Sequence, residues 1–478
     1  LAYNSPGYSL TLNSKELSKE EEDQVLTLIS KILDIDNVIF ITDSKSKIYD
    51  ESGNRIASDR ITLKSDINYD QYYLLLSRIE ELKGIHLIVE PKRTYSDPIA
   101  FSNVIGYLGD PTQKDIESGI YSESQIGKTG IEGYYDNYLR GKEGLSVVEK
   151  EVVSGEFIDY DAYQSIPGNN VYLTIDSRWQ KSLSEILNKS VSNVKAFGGA
   201  GVIVNSRTGE VKAMVTNPGY DNNLFANGIS YGDYQSLIND PKKPLFNRPI
   251  SLQLPPGSIM KIVAATAGLE SGVISESEKK LSDRCIDLPG NIKFCEADRG
   301  YIGWVNVEEA MARSSNIFFC LVMQDMRAKN IGYEYYYDIA KNYGLGNKTG
   351  IDLWGEVAGT IPNADYKMAT VKQPWYIGDE CNTVIGQGYV IVTPLQMAML
   401  VSTVMNNGEL IKPYILSKVV DQTGSLVFER TPEQVRSLHV SDETIRILKE
   451  GLQLGVQAGT AGGLKGLPGN PGAKTGSS

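Results

Sequence analysis

Apolar positions along the chain change period several times, and the changes divide it. Tyr8 to Leu12 (YSLTL) alternates apolar and polar residues, the period of a half-buried strand. Glu20 to Leu33 puts Val25, Leu28, Ile29, Ile32 and Leu33 at helical spacing, and the apolar run Ile85 to Val89 predicts a short strand. Between Ser154 and Asn170 the periodicity stops and Pro167, Gly168 and Asn169 intervene, which sets a domain boundary at 165/166. Val171 to Ile175 resumes as a strand, and Asp176 is placed to cap a helix carrying Trp179, Leu183, Ile186 and Leu187. Gly201 to Asn205 and Glu210 to Val215, joined through Arg207-Thr208-Gly209, predict an antiparallel hairpin. Helical patterns then run from Ile259 to about Gly455, so strands flank a large helical block. The expected class is α+β in two domains, residues 1–165 and 166–478.

Val390 to Met405 is the most apolar stretch, but Thr393, Pro394 and Gln396 break it, so it predicts a packed helix. The chain opens at Leu1 without a basic or apolar leader and stops at Ser477-Ser478 after a Gly-rich run. Both ends have the character of cuts in a longer protein, with any membrane anchor lying upstream of Leu1.

The 478 residues are 41% apolar and 22% charged, which is ordinary globular composition. With 47 basic and 59 acidic residues the net charge is −12, a field that repels phosphates, so no nucleic-acid partner is expected. His86 and His439 are the only histidines. That excludes a clustered histidine metal site and leaves little material for a Ser-His-Asp relay, so a serine enzyme here would take a base other than histidine. Gly469 to Thr475 fails as a phosphate loop because Pro468 and Ala473 stand where glycines are needed.

The chemistry concentrates in three clusters. Pro255-Pro256-Gly257-Ser258 forces an abrupt entry into a helix, with Ser258 at its start and Lys261 one turn on. The helix end favours developing negative charge. A lysine can take a serine proton only when it is held neutral, by burial or by a nearby cation. Taken alone, S-x-x-K is a common tetrapeptide and reads first as a capping serine followed by a solvated lysine. In the second cluster Ser314-Ser315-Asn316 interrupts two helical patterns. Ser314 is placed to shuttle a proton and Asn316 to hold a peptide carbonyl, although a plain N-cap also fits. In the third, Lys474-Thr475-Gly476-Ser477 suits an edge strand that binds a carboxylate. There the Ser477 N–H would join the Ser258 N–H as an oxyanion hole.

S-x-x-K, S-x-N and K-T-G in this order resemble the penicillin-recognising serine acyl-enzyme superfamily. Their wide spacing, with Asn247-Arg248-Pro249, Gly350-Ile351-Asp352-Leu353, Ile385-Gly386-Gln387-Gly388-Tyr389 and Thr393-Pro394-Leu395-Gln396, is similar to that of class B penicillin-binding proteins, most of all the elongation-type (penicillin-binding protein 2-like) branch. Leu1-Ala2-Tyr3-Asn4 resembles the segment just after that family's anchor. Gly130-Ile131-Glu132-Gly133-Tyr134-Tyr135 and Leu139-Arg140-Gly141 resemble its pedestal domain. The resemblance implies a mixed N-terminal pedestal (dimerisation-type) domain and a C-terminal serine β-lactamase/transpeptidase-like domain, an antiparallel sheet with a helical block, cut after its third motif.

The implied reaction is D-Ala-D-Ala transpeptidation of peptidoglycan stem peptides through a serine acyl-enzyme that β-lactams trap, and it needs no metal and no cofactor. By resemblance Ser258 is the nucleophile, Lys261 its base and Ser314 the proton relay. Asn316 contacts the substrate amide, and Lys474, Thr475, Gly476 and Ser477 line the carboxylate-binding strand. The implied partners are stem peptides, β-lactams and a membrane glycosyltransferase of the shape, elongation, division and sporulation family, with a homodimer left open. The implied place is an extracytoplasmic domain on a single-pass anchor. A β-lactamase or D,D-carboxypeptidase shares the three motifs, and a non-catalytic penicillin-binding sensor or scaffold is the non-enzyme alternative.

Cys285 and Cys295 bracket a predicted loop between helices and are open to a disulfide, to two free thiols, or to a zinc site with Asp283, Asp287 or Asp298. Cys320 lies in the apolar run Ile317 to Met323 and reads as a core packer. His86 and His439 read as structural or solvated. Trp375-Tyr376 reads as a cleft wall or a buried pair.

Overall fold

Strand β1 (Ala2–Leu12) runs antiparallel to β2 (Ile61–Ile67) and β3 (Ile85–Tyr95), in the order β2–β1–β3. Only its second half is buried, which is why alternation is legible over Tyr8–Leu12 alone; the first half is held by its ladder to β3. Helix α1 (Lys19–Leu33) starts with a Ser18/Glu21 capping box and packs Leu26 and Ile29 with Leu10, Leu12, Leu63 and Ile85 into one core. These elements belong to a first unit made of Leu1–Ile99, Tyr107–Lys128 and Asp221–Ser236. The computed structural model describes all residues except 51, 59, 121–124, 143, 151–156, 227, 298, 299 and 478, so Ser154 and Asp298 lie outside the described residues.

The second unit comprises Ala100–Gly106, Thr129–Tyr220 and Leu237–Ser478. It thus includes residues 129–165, which composition groups with the N-terminal domain. A buried tie crosses that stretch: the Tyr135 hydroxyl donates to Asp352 at 2.7 Å, and Asp352 also accepts the Ile415 and Leu416 amides at 2.7 and 2.8 Å. Strand β4 (Asn170–Leu173) leads into α2 (Ser177–Asn193), whose first turn Asp176 caps through the Arg178 amide. The hairpin β5 (Gly199–Val204) and β6 (Val211–Asn217) pairs antiparallel, as the Gly-containing turn between its strands predicts.

The apolar α3 (Lys261–Glu270) runs through the centre of the largest core, with residues 261–268 all buried. The region after it is less purely helical than its periodicity suggests. Four short strands follow: β7 (Lys280–Ser282), β8 (Cys285–Leu288), β9 (Ile292–Cys295) and β10 (Gly303–Val305). Strand β8 pairs with β9, and β7 with β10. They are too short for the alternation that marks a strand in sequence. Cys285 and Cys295 are therefore cross-strand neighbours on a hairpin rather than the ends of a loop, and they form a disulfide. Cys320 is fully buried as read, and is also bonded to Cys381.

Helices α4 (Val307–Arg313) and α5 (Asn316–Ala328) follow, then α6 (Pro394–Met405), which opens with a Thr393/Gln396 capping box. Strand β11 (Leu416–Val420) returns to the sheet between β4 and β12 (Leu426–Glu429). The amphipathic α7 (Asp442–Gln457) then packs beside α4. Among the described residues no helix is long and apolar enough to cross a membrane.

Candidate active site

Two prolines and Gly257 turn the chain into a single 3-10 turn, Gly257–Met260, before α3 begins. The Lys261 amide bonds the Ser258 carbonyl, and in a 3-10 turn side chains three apart stack on the same face. Ser258 is half-buried, whereas Lys261 is fully buried. The lysine Nζ donates to the Ser314 carbonyl at 2.8 Å, to the Ser314 Oγ at 3.3 Å and to the Asn316 Oδ1 at 2.6 Å. The first two motifs thus meet through one amine.

Ser314 ends α4 in the left-handed region (φ 58°), unusual for a residue with a Cβ, and this turns its hydroxyl back toward Lys261. Ser315, not Ser314, is the N-cap of α5, its Oγ accepting the Phe318 amide. The capping role that the sequence left open at this corner falls to the middle residue, and the residues on either side face Lys261.

Lys474 reaches the same hydroxyl: its Nζ donates to the Ser314 Oγ at 2.9 Å and to the Thr475 carbonyl at 3.1 Å. Residues 474–477 carry no strand pairing among the described residues, so the edge strand predicted there is not formed; contacts to residues distant in sequence hold them instead. Thr475 pairs with Thr460 through hydroxyls 2.6 Å apart, and the Gln387 amide nitrogen donates to the Ser477 carbonyl at 3.0 Å. A side chain at Gly257, whose φ is +58°, would run into the Ser477 carbonyl, so glycine is what lets the third motif lie against the turn that carries Ser258.

One contributor has no signature in the sequence. Glu296 is buried against Ser282, Ser315 and the start of α5. The Gly257 amide bonds the Gly386 carbonyl, tying Ser258's turn to the loop that contains Gln387. The resemblance pointed to Gly386-Gln387-Gly388, but nothing in the sequence indicated its approach to Gly257. His86 is half-exposed beside Glu16, and Trp375 packs on Tyr333 while Tyr376 stays exposed.

A buried amine one turn after a serine, facing a hydroxyl and an amide from a second motif and a lysine from a third, is the arrangement of the penicillin-recognising class. The chain belongs to the penicillin-binding proteins: residues 199–478 match the penicillin binding protein transpeptidase domain and residues 1–173 the penicillin-binding protein dimerisation domain. It is 29% identical over 474 residues to the peptidoglycan D,D-transpeptidase MrdA of Acinetobacter baumannii, covering 97% of this chain and 67% of that one. The chain thus spans about two thirds of the length of the curated relatives it matches. Among solved structures it is similar to the Helicobacter pylori penicillin-binding protein PBP2 in complex with MreC. The TM-score is 0.79 at 25% identity, covering 95% of this chain and 80% of the other. It is also similar to a chain from a peptidoglycan synthase complex that coordinates polymerization and crosslinking, with a TM-score of 0.75 at 27% identity, covering 100% and 78%.

Proposed function

We propose that this protein is an elongation-type peptidoglycan D,D-transpeptidase that works through a serine acyl-enzyme. The observation that carries the reading is the buried Lys261, one 3-10 turn from Ser258 and bonded to Ser314 and Asn316. A neutral lysine amine has two hydrogens and one lone pair. The neutral form gives its hydrogens to two of the three acceptors around it and turns its lone pair to the Ser258 proton. The Ser258 Oγ then attacks the penultimate D-Ala carbonyl, and the Ser258 and Ser477 amides receive the oxyanion. The C–N bond breaks, and the proton passes from Lys261 through the Ser314 Oγ to the departing D-Ala amine. A second stem's amine attacks the ester and gives a proton to Lys261, the ester C–O bond breaks, and Lys261 passes that proton to the Ser258 Oγ, leaving a new peptide cross-link. Asn316 orients the substrate amide, and Lys474, Thr475 and Gly476 receive its carboxylate.

β-Lactams are bound covalently at the same serine. The partner expected for the donor strands is a membrane glycosyltransferase of the shape, elongation, division and sporulation family; the similarity to a synthase complex and to an MreC-bound relative supports such an assembly. The reading gives the protein a membrane anchor and an extracytoplasmic catalytic domain. The Cys285–Cys295 and Cys320–Cys381 disulfides support an oxidising compartment. The domain division at 165/166 belongs to this reading and is supported by the dimerisation match, which runs to residue 173. The test is the lifetime of the penicilloyl-enzyme together with cross-link formation from lipid-linked stem peptides. A long-lived adduct and amine-dependent cross-links are expected; release within seconds to penicilloate would make the protein a hydrolase.

A further inference from the structure

Glu296 follows directly on β9 and is 7% exposed, with four donors around one carboxylate. Its Oε1 accepts the Ser282 hydroxyl at 2.6 Å, the Ser315 hydroxyl at 2.7 Å and the Ile317 amide at 3.0 Å, and its Oε2 accepts the Asn316 amide at 2.8 Å. Helix α5 already has its own cap in the Ser315 Oγ, so Glu296 is not the residue that starts it. The carboxylate instead grips the peptide units immediately after Ser314. Asn316 is held from two sides by this strand end: its backbone by Glu296, and its Nδ2 by the Cys295 carbonyl at 3.5 Å. The remaining Asn316 atom, Oδ1, is the one that meets Lys261.

We propose that Glu296 is a positioning residue for the acyl transfer, its buried carboxylate fixing the Ser314–Asn316 corner against Lys261. The inference rests on the transpeptidase reading, since it gives Glu296 a role only if that corner handles the proton. An ionised carboxylate accepts four hydrogen bonds at once and donates none, which is what four converging donors require. Replacing it with an amide keeps the volume but turns a donor toward donors. The Ser315 hydroxyl and the Asn316 and Ile317 amides then lose the acceptor that fixes the residues just after the left-handed Ser314. The Asn316 Oδ1 moves, and the Lys261 hydrogen it held is free to turn the lone pair away from Ser258.

Acylation of the full chain by a fluorescent penicillin, followed in single turnover, separates the labelled fraction from the rate constant. For Glu296→Gln the labelled fraction stays near that of the native protein, and the rate constant falls roughly ten- to a hundredfold, the scale of a misplacement of about 1 Å. Glu296→Asp, which keeps the charge, recovers part of the rate. A merely structural role would lower the labelled fraction and leave the rate of the remainder alone; that outcome, or an unchanged rate, overturns the proposal. Should Glu296→Gln fail to fold, Ser282→Ala removes one of the four donors without disturbing the charge, and it is expected to slow acylation severalfold. An unchanged rate there overturns the proposal equally. Ser258→Ala is run alongside. Labelling that persists in it refutes the acyl-enzyme reading itself, whereas Ser258-dependent labelling at normal rate in Glu296→Gln refutes only the role of Glu296.

Discussion

Lys261 and Lys474 converge on one oxygen: their Nζ atoms lie 3.3 and 2.9 Å from the Ser314 Oγ. Two ammonium groups sharing a hydroxyl repel each other, and the fully buried Lys261 is the one for which carrying charge costs more. Ser314→Ala removes that shared hydroxyl, which the proposed mechanism uses as its proton relay. It is expected to lower the acylation rate constant by a factor of about 10²–10⁴, the usual contribution of a positioned proton-transfer group. Stopped-flow acylation measures it, and a loss under twofold would remove Ser314 from the relay.

Lys261→Arg is expected to abolish labelling, since a guanidinium does not surrender its proton at neutral pH. Gel fluorescence after penicillin labelling reads this directly. Normal labelling of the arginine variant would exclude Lys261 as the base.

The fold has its own critical carboxylate in Asp352, 3% exposed and bonded to the Tyr135 hydroxyl and two backbone amides. Asp352→Ala leaves three buried donors without an acceptor and is expected to cost about 3–5 kcal/mol. Denaturant unfolding checks it, and a change below about 1 kcal/mol would be the size of an ordinary surface substitution.

Burial pushes the Tyr336 and Tyr343 phenols well above their ordinary range. Unfolded, they ionise near about 10, so the stability they contribute is complete below that pH and is lost as pH rises beyond it. Stability should therefore fall between pH 9 and 11, and Tyr336→Phe should fall less steeply than the native protein. Parallel slopes in urea titrations at the two pH values would contradict this.

Much of the site is legible in the sequence because it is built at breaks in periodicity. Pro255-Pro256-Gly257 announces the turn that carries Ser258, and Ser314-Ser315-Asn316 interrupts two helices where the corner forms. The resemblance also pointed to Gly350–Leu353 and Gly130–Tyr135, and the structure brings one residue of each together in the Tyr135–Asp352 bond. What stayed hidden lacks local signal. Strands of three or four residues around Cys285 and Cys295 show no alternation, and Glu296 is one glutamate among 59 acidic residues until the fold surrounds it with donors. Cys320 and Cys381 sit in separate helical patterns, so nothing local shows that they pair. The edge strand expected at Lys474 depends on pairing, which side-chain chemistry alone does not supply.

The most direct test is to treat the protein with penicillin, digest it, and locate the added mass by tandem mass spectrometry. A single penicilloyl adduct on Ser258 is predicted, absent from Ser258→Ala. An adduct on another residue, or a native protein that acquires none, would contradict the acyl-enzyme account.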